Sequence, residues 1–188
     1  MREIIVTAFI SLDGVMEAPG GEPGYRNTGW TTQVEFLPEM YEIKGREQQE
    51  AGAMLLGRHS YQAFAPIWPT MEEFAEYNAM PRYVVSTTLE KQDAGWPATI
   101  LRSIDEVREL KEHTEGGPIL VHGSATLGKS LAEAGLVDRY HLLVFPVLLG
   151  AGKRLFTEAD LAAQWLELVE HEAYPNGVVK YVYNVARP

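Results

Sequence analysis

The sequence predicts an α/β fold on a mixed sheet, mostly parallel at first and antiparallel at its end, with helices on both faces. Three observations predict it. Short β-rich apolar runs at Ile4 to Ile10, Ala53 to Leu56, Arg82 to Ser86 and Ile119 to Val121 are separated by stretches long enough for crossover helices. Two of these runs pass through a glycine into a helix start, at Gly57-Arg58-His59-Ser60-Tyr61 and at Gly123-Ser124-Ala125-Thr126-Leu127. The chain from Arg139 onward is strand-like and carries Asn176-Gly177, a strong hairpin signal.

The first run, Ile4 to Ile10, is nearly continuous in its hydrophobicity, as a central strand covered on both faces requires. It ends at Ser11-Leu12-Asp13-Gly14. Residues 15–32 follow without periodicity, rich in glycine and proline, yet they hold Tyr25 and Trp30, which are costly to leave in water. This pattern favours a lid folded over a pocket, with a mobile surface excursion as the alternative. Val34 to Gln49 has an apolar stripe at helical spacing, with Pro38 a second candidate for the true start. Phe64 to Met80 reads as a loop with a helical turn near Met71 to Tyr77. Ser86-Thr87-Thr88 closes a strand with hydroxyls, and Ala98 to Leu101 is a weaker strand. Ser103 caps a helix from Ile104 to about His113. Arg139 to Pro146 forms another strand, Leu148 to Phe156 a glycine-rich loop, and the tail from Trp165 to Val185 a terminal hairpin.

Composition narrows the function classes. At 188 residues with 46% hydrophobic content, the chain suits one globular domain spanning 1–188. A net charge of -10, with the acids dispersed, argues against nucleic acid or an anionic membrane as partner. There is no cysteine, which excludes disulfides, thiolate metal sites and thiol catalysis. The five histidines show no metal-ligand spacing, so no metal is expected. No apolar run reaches about 18 residues and Met1-Arg2-Glu3 does not open a leader, so the cytoplasm is the expected location.

The two strand-to-helix turns carry the chemistry. Each points unpaired backbone N–H groups and the positive end of a helix dipole at whatever lies above it, which suits a phosphate. Gly123 lets the backbone approach closely, and Arg58 can make a forked contact with a phosphate. Either turn alone is also common in α/β proteins with nothing bound, and an Arg after a Gly is often solvated. Two in one chain strengthen both.

Taken together, SLDG after the first strand, LLGRHSYQAF, VVSTTL, ILVHGSATLGKSL and LVDRYHLLVFPVLLGAGKRLF resemble the dihydrofolate reductase-like superfamily. The nearer resemblance is to its branch similar to the C-terminal reductase domain of bacterial riboflavin biosynthesis proteins. That resemblance implies a three-layer fold around a sheet of about eight strands, mostly parallel with an antiparallel end, and NADPH bound across the strands' carboxyl ends. It implies that Gly57, Arg58, His59 and Ser60 meet the adenosine-side phosphate and the pyrophosphate. Ser86 and Thr87 would lie near the ribose and its 2′-phosphate, and Gly123, Ser124, Ala125, Thr126 and Leu127 under the pyrophosphate and nicotinamide. Asp13 would stand at the mouth of the substrate pocket, with Trp30 and Phe64 as its walls. Pro146 to Gly152 resembles the family's P-x-L-x-G-x-G turn, a structural or subunit-contacting element. The first helix offers no secure match to the carboxylate that folate reductases place against the pterin ring. The histidine and cysteine ligands of the zinc deaminase usually fused to the riboflavin-pathway enzyme are also absent.

The expected function is therefore an NADPH-dependent oxidoreductase of a small heterocyclic (pteridine- or pyrimidine-like), imine or carbonyl substrate. The alternative is a nucleotide-binding protein without turnover. Hydride transfer needs a dry site and a proton, and Asp13 under a closed lid would have its pKa raised toward donating one. Asp-Gly after a strand is equally plain turn chemistry. His59 would help neutralise phosphate and His122 would be a packed, hydrogen-bonded residue, while His113, His141 and His171 read as incidental. A homodimer is expected through the aromatic strands near Trp165 and Tyr181 to Tyr183.

Overall fold

In a computed structural model of the chain, residues 1–90, 92–93, 95–113, 115–156 and 163–187 are described. The first strand is the axis of the fold. β1 (Ile4–Ser11) pairs in parallel with β5 (Ile119–His122) on one side and β6 (Arg139–Phe145) on the other. Ile4, Val6, Ala8 and Ile10 face one core cluster, with Val107, Leu110, Leu127 and Leu131 from the helices, while Ile5 faces a second cluster with Tyr61, Trp68 and Tyr77. Burial on both faces is why this strand is continuously apolar. Its two polar side chains, Thr7 and Ser11, are buried as well.

Outward from β5 lie β2 (Ala53–Gly57), β3 (Arg82–Val85) and β4 (Thr99–Leu101), all parallel. Outward from β6 lie β8 (Val179–Val185) and β7 (Leu166–Ala173), both antiparallel to their neighbours. The eight strands run β4-β3-β2-β5-β1-β6-β8-β7. This is the mixed sheet with an antiparallel C-terminal hairpin that the sequence predicts. α1 (Glu42–Glu50), α2 (Arg58–Phe64) and α3 (Ala75–Ala79) contribute Ile43, Tyr61 and Tyr77 to one side of the sheet, and α4 (Ile104–His113) and α5 (Ala125–Glu133) contribute Val107 and Leu131 to the other. Among the described residues no helix is long and apolar enough to cross a membrane.

One boundary differs from expectation. The helix expected over Val34 to Gln49 begins only at Glu42, after a 3-10 turn at Pro38–Tyr41. Pro38 fixes its own φ and holds Leu37 extended, at φ -121 and ψ 115, so the apolar residues before it pack as extended chain. Residues 15–32 are irregular up to a 3-10 turn at Trp30–Gln33, and they are anchored. Val15 bridges to Arg154, Tyr25 Oη donates to the Ala151 carbonyl at 2.6 Å, and the Trp30 ring is buried edge-on against Phe145 at 5.2 Å.

The lengths of the central strands create a step. β5 stops at His122, level with Thr7 of β1, whereas β1 and β6 keep pairing as far as Ser11 and Phe145. Ala8, Phe9, Ile10 and Ser11 therefore stand above the end of β5 by about 13 Å, at about 3.3 Å per residue.

Candidate active site

Strands β3, β2 and β5 are consecutive in the sheet and parallel, so their carboxyl ends lie in one row. At about 4.8 Å per strand, the turns that follow them span about 10 Å. Ser86 and Thr87 follow β3, Gly57 to Ser60 follow β2, and Gly123 to Leu127 follow β5. Ser124 binds the second and third turns together. Its Oγ accepts from the Gly57 N–H at 2.9 Å and lies 2.8 Å from Ser60 Oγ, across more than sixty residues of sequence. Ser124 reaches this position in the left-handed region, at φ 66 and ψ 61, immediately before α5.

Gly123 is left-handed as well, at φ 63, and a Cβ there would stand 3.5 Å from Ser60 Oγ and 3.7 Å from Phe64 Cζ. The glycine thus leaves a cradle between the turns. Ala125 is half-buried and Thr126 exposed in the first turn of α5, and Leu127 is buried in the core. Arg58 is half-buried, and its guanidinium meets Gln62 Oε1 at 3.4 Å and His59 Nε2 at 3.2 Å, both on α2. Ser86 is buried and its Oγ accepts from the N–H groups of Thr88 and Leu89, so its hydroxyl shapes the turn while Thr87 is exposed.

Beside this row, on the α1 side of the step, lies a charged cluster that sequence reasoning missed. Glu47 is 4% exposed. Its Oε1 accepts from Thr7 Oγ1 at 2.7 Å and meets His141 Nδ1 at 2.8 Å, and its Oε2 accepts from Lys44 Nζ at 3.2 Å and Tyr77 Oη at 3.4 Å. Lys44 Nζ also donates to Thr7 Oγ1 and lies 5.0 Å from the centroid of the Phe9 ring. Burial alone would raise the Glu47 pKa, but Lys44, His141 and Thr7 outweigh it and hold the carboxyl below its ordinary range. His141, read from the sequence as incidental, is thus a partner of the buried acid. The available signals were Thr7 inside an apolar strand and a Lys and a Glu three apart beside Ile43 on the core-facing helix.

His122 differs from its expected hydrogen-bonded state. Phe64, Trp68 and Tyr77 surround it edge-on at 5.9, 4.9 and 5.7 Å, and its buried Nδ1 has no hydrogen-bond partner. Burial, with the Lys44 charge nearby, pushes the imidazole down to about 3, so it is neutral.

Asp13 and Trp30 stand apart from the turns. Asp13 Oδ1 accepts from Ser11 Oγ at 2.6 Å and the Leu149 N–H at 3.1 Å, and Oδ2 accepts from the Gly150 N–H at 2.8 Å. Arg154 lies 3.5 Å from Oδ2. The Ser11 hydroxyl first, then the backbone donors, hold the Asp13 pKa down to about 2. The expected rise is overturned, because these donors favour the charged form. The Trp30 ring faces the core, and its Nε1 donates to the Glu17 carbonyl at 2.9 Å. It anchors residues 15–32, whereas Phe64 borders the cradle.

Comparison with known proteins identifies the family and the fold. The model of the RibD C-terminal domain family matches residues 2–180. YyaP, an uncharacterized protein of Bacillus subtilis (strain 168), is 28% identical over 194 residues, covering 97% of this chain and 95% of that one. The structure of a candidate riboflavin biosynthesis protein from Shewanella sp. PV-4 has a TM-score of 0.80 at 19% identity, covering 100% of both chains. Dihydrofolate reductase from Enterococcus faecalis, in complex with NADP(H) and RAB-propyl, has a TM-score of 0.62 at 15% identity, covering 98% of this chain and 97% of that one. At such identities the structural likenesses establish a dihydrofolate reductase-like fold. The family match runs from the start of β1 through both linked turns and into β8, so the chain belongs to the RibD C-terminal domain family.

Proposed function

We infer that the protein is an NADPH-dependent reductase of a small heterocyclic, imine or carbonyl compound, working as one domain over 1–188 with residues 15–32 as its lid. The observation that carries the reading is the Ser124 hydroxyl, which fastens two strand-to-helix turns side by side over adjacent strands. The residues present fit a dinucleotide. Gly123 leaves a cradle that a Cβ would fill, α5 starts beside it, and Arg58 stands at the neighbouring turn with partners on its own helix. Gly57, Arg58, His59 and Ser60 would hold one phosphate, Gly123 to Leu127 the pyrophosphate, and Ser86 and Thr87 the ribose end. The reduced nicotinamide, when bound, supplies the hydride. Phe64 would border the reacting rings, and the anchored lid would exclude water. Asp13 serves as a positioning residue, tying the end of β1 to the 149–150 turn on which the lid rests.

A second copy of the chain is the proposed partner, and the net charge of -10 speaks against nucleic acid or an anionic membrane in that role. A cytoplasmic location goes with this reading. Titration of the purified protein with NADPH and NADH, followed by nicotinamide fluorescence, tests it. NADPH should bind much more tightly than NADH, and Arg58→Ala should weaken it about 10- to 100-fold, the worth of one charge-assisted phosphate contact. Binding of neither nucleotide would overturn the assignment. The ionised state of Asp13 favours a second reading, nucleotide binding without turnover. Absence of any single-turnover NADPH oxidation across pterins, pyrimidines and quinone-like oxidants would select it.

A further inference from the structure

We propose that Lys44 is the substrate-facing charge of this site, and that it selects a ring presenting a carbonyl oxygen or an anionic substituent over one presenting amino groups. The proposal rests on the reductase reading for the place of the site and adds the chemistry of what enters it. At the step between the ends of β5 and β1, beyond His122, the β5 side of Ala8 to Ser11 has no paired strand. Phe9, Tyr41 and Lys44 border it from the β1 and α1 side, and Phe64 borders it from α2. All four are half-buried, as residues lining a cleft are.

Lys44 cannot swing away from this position. Its ammonium is tied to one hydroxyl, Thr7, and one carboxylate, Glu47, and it lies against the Phe9 ring. Glu47 is in turn fixed by His141 and Tyr77 from two other elements. About 12% of the Lys44 side chain stays accessible, against 1% for Glu47. The accessible part of this ion pair thus belongs to Lys44 and not to the carboxylate, so a ring that reaches the pair meets the lysine first. An ammonium carries donors and no acceptor, so the ring substituent turned toward it must be an acceptor, which a carbonyl oxygen or an anionic group is and an amino group is not.

A matched pair of probes on one ring system tests this. The 2,4-dioxopteridine lumazine presents carbonyl oxygens where 2,4-diaminopteridine presents amino groups. Both are titrated by fluorescence into the cofactor-free protein and into the protein saturated with NADPH. Lumazine should bind at least tenfold more tightly than the diamino compound. Lys44→Met alone would leave a buried carboxylate uncompensated, so the informative variant is Lys44→Met with Glu47→Gln, checked for folding by its melting transition. That variant should lose the preference to within about threefold while its NADPH affinity stays within twofold, and Lys44→Arg should keep the preference. A tighter diamino compound, a preference that survives in the double variant, or binding of neither probe overturns the proposal. Failure of NADPH to bind the wild type strikes the reductase reading instead, because the probe preference is also read without cofactor.

Discussion

Ser124 shows what the site demands of one residue. The left-handed backbone costs a non-glycine residue about 1 kcal/mol, and a glycine there would remove that cost. The serine is nonetheless needed for its side chain, since its hydroxyl is what the Gly57 N–H and Ser60 meet. Asp13 makes the complementary point, a carboxylate whose three donors leave it nothing to give. Asp13→Asn should lower stability by about 1 to 2 kcal/mol, because an amide cannot accept on both sides, while NADPH affinity stays within about twofold. Denaturant unfolding and the nucleotide titration read the two effects separately, and an unchanged stability with lost NADPH binding would contradict the positioning role. The turns were legible in the sequence because strand, glycine, hydroxyl and helix start are local neighbours. Lys44, Glu47, Thr7 and His141 were not, because they meet only after α1 crosses β1 and β6.

The elements were legible where periodicity is unbroken and less so where a local residue overrides it. β1, β2 and β5 read correctly as buried strands, since burial on both faces demands continuous apolar sequence. Of the two starts the sequence offers, Pro38 is where helical structure begins, as a 3-10 turn that leads into α1, whereas the apolar residues from Val34 to Leu37 are not helical. The terminal hairpin raises a further question, since β7 is an edge strand that is exposed along almost its whole length. Trp165, Leu166, Leu168 and Val169 are 78%, 36%, 49% and 55% exposed. Leu168 pairs with Tyr183 and Leu166 with Val185, so these apolar side chains share a face with the stacked Tyr181 and Tyr183. Such an edge invites pairing with another strand unless it is covered. A second copy joined through β7 would cover it. Light scattering after gel filtration should give a dimer for the wild type and a monomer for Leu168→Asp. A wild-type monomer at high concentration would overturn the dimer, and a dimer that survives Leu168→Asp would place the contact away from this strand.

At the scale of the whole molecule, the buried titratable groups fix how stability follows pH. His122 is neutral when folded, with a pKa pushed down to about 3, and it faces Phe64, Trp68 and Tyr77 with Lys44 and Glu47 close by. Unfolding frees it to titrate near 6.5. Below that value the unfolded chain binds a proton that the folded chain refuses, so stability falls as pH falls, by up to about 1.4 kcal/mol per pH unit. Asp13 and Glu47 act lower. Their folded pKa values lie below their unfolded ones, so their contribution is complete above about pH 4.5 and is lost only on further acidification. The limb between pH 6.5 and 4.5 therefore isolates the histidine. His122→Phe suits the aromatic cage and abandons no hydrogen bond at Nδ1, which has none. Urea unfolding at pH 7.5 and pH 5 should show the wild type losing about 2 kcal/mol between the two, and His122→Phe losing much less. Parallel losses in both proteins would mean that the imidazole is protonated inside the fold, with Glu47 close enough to receive its charge.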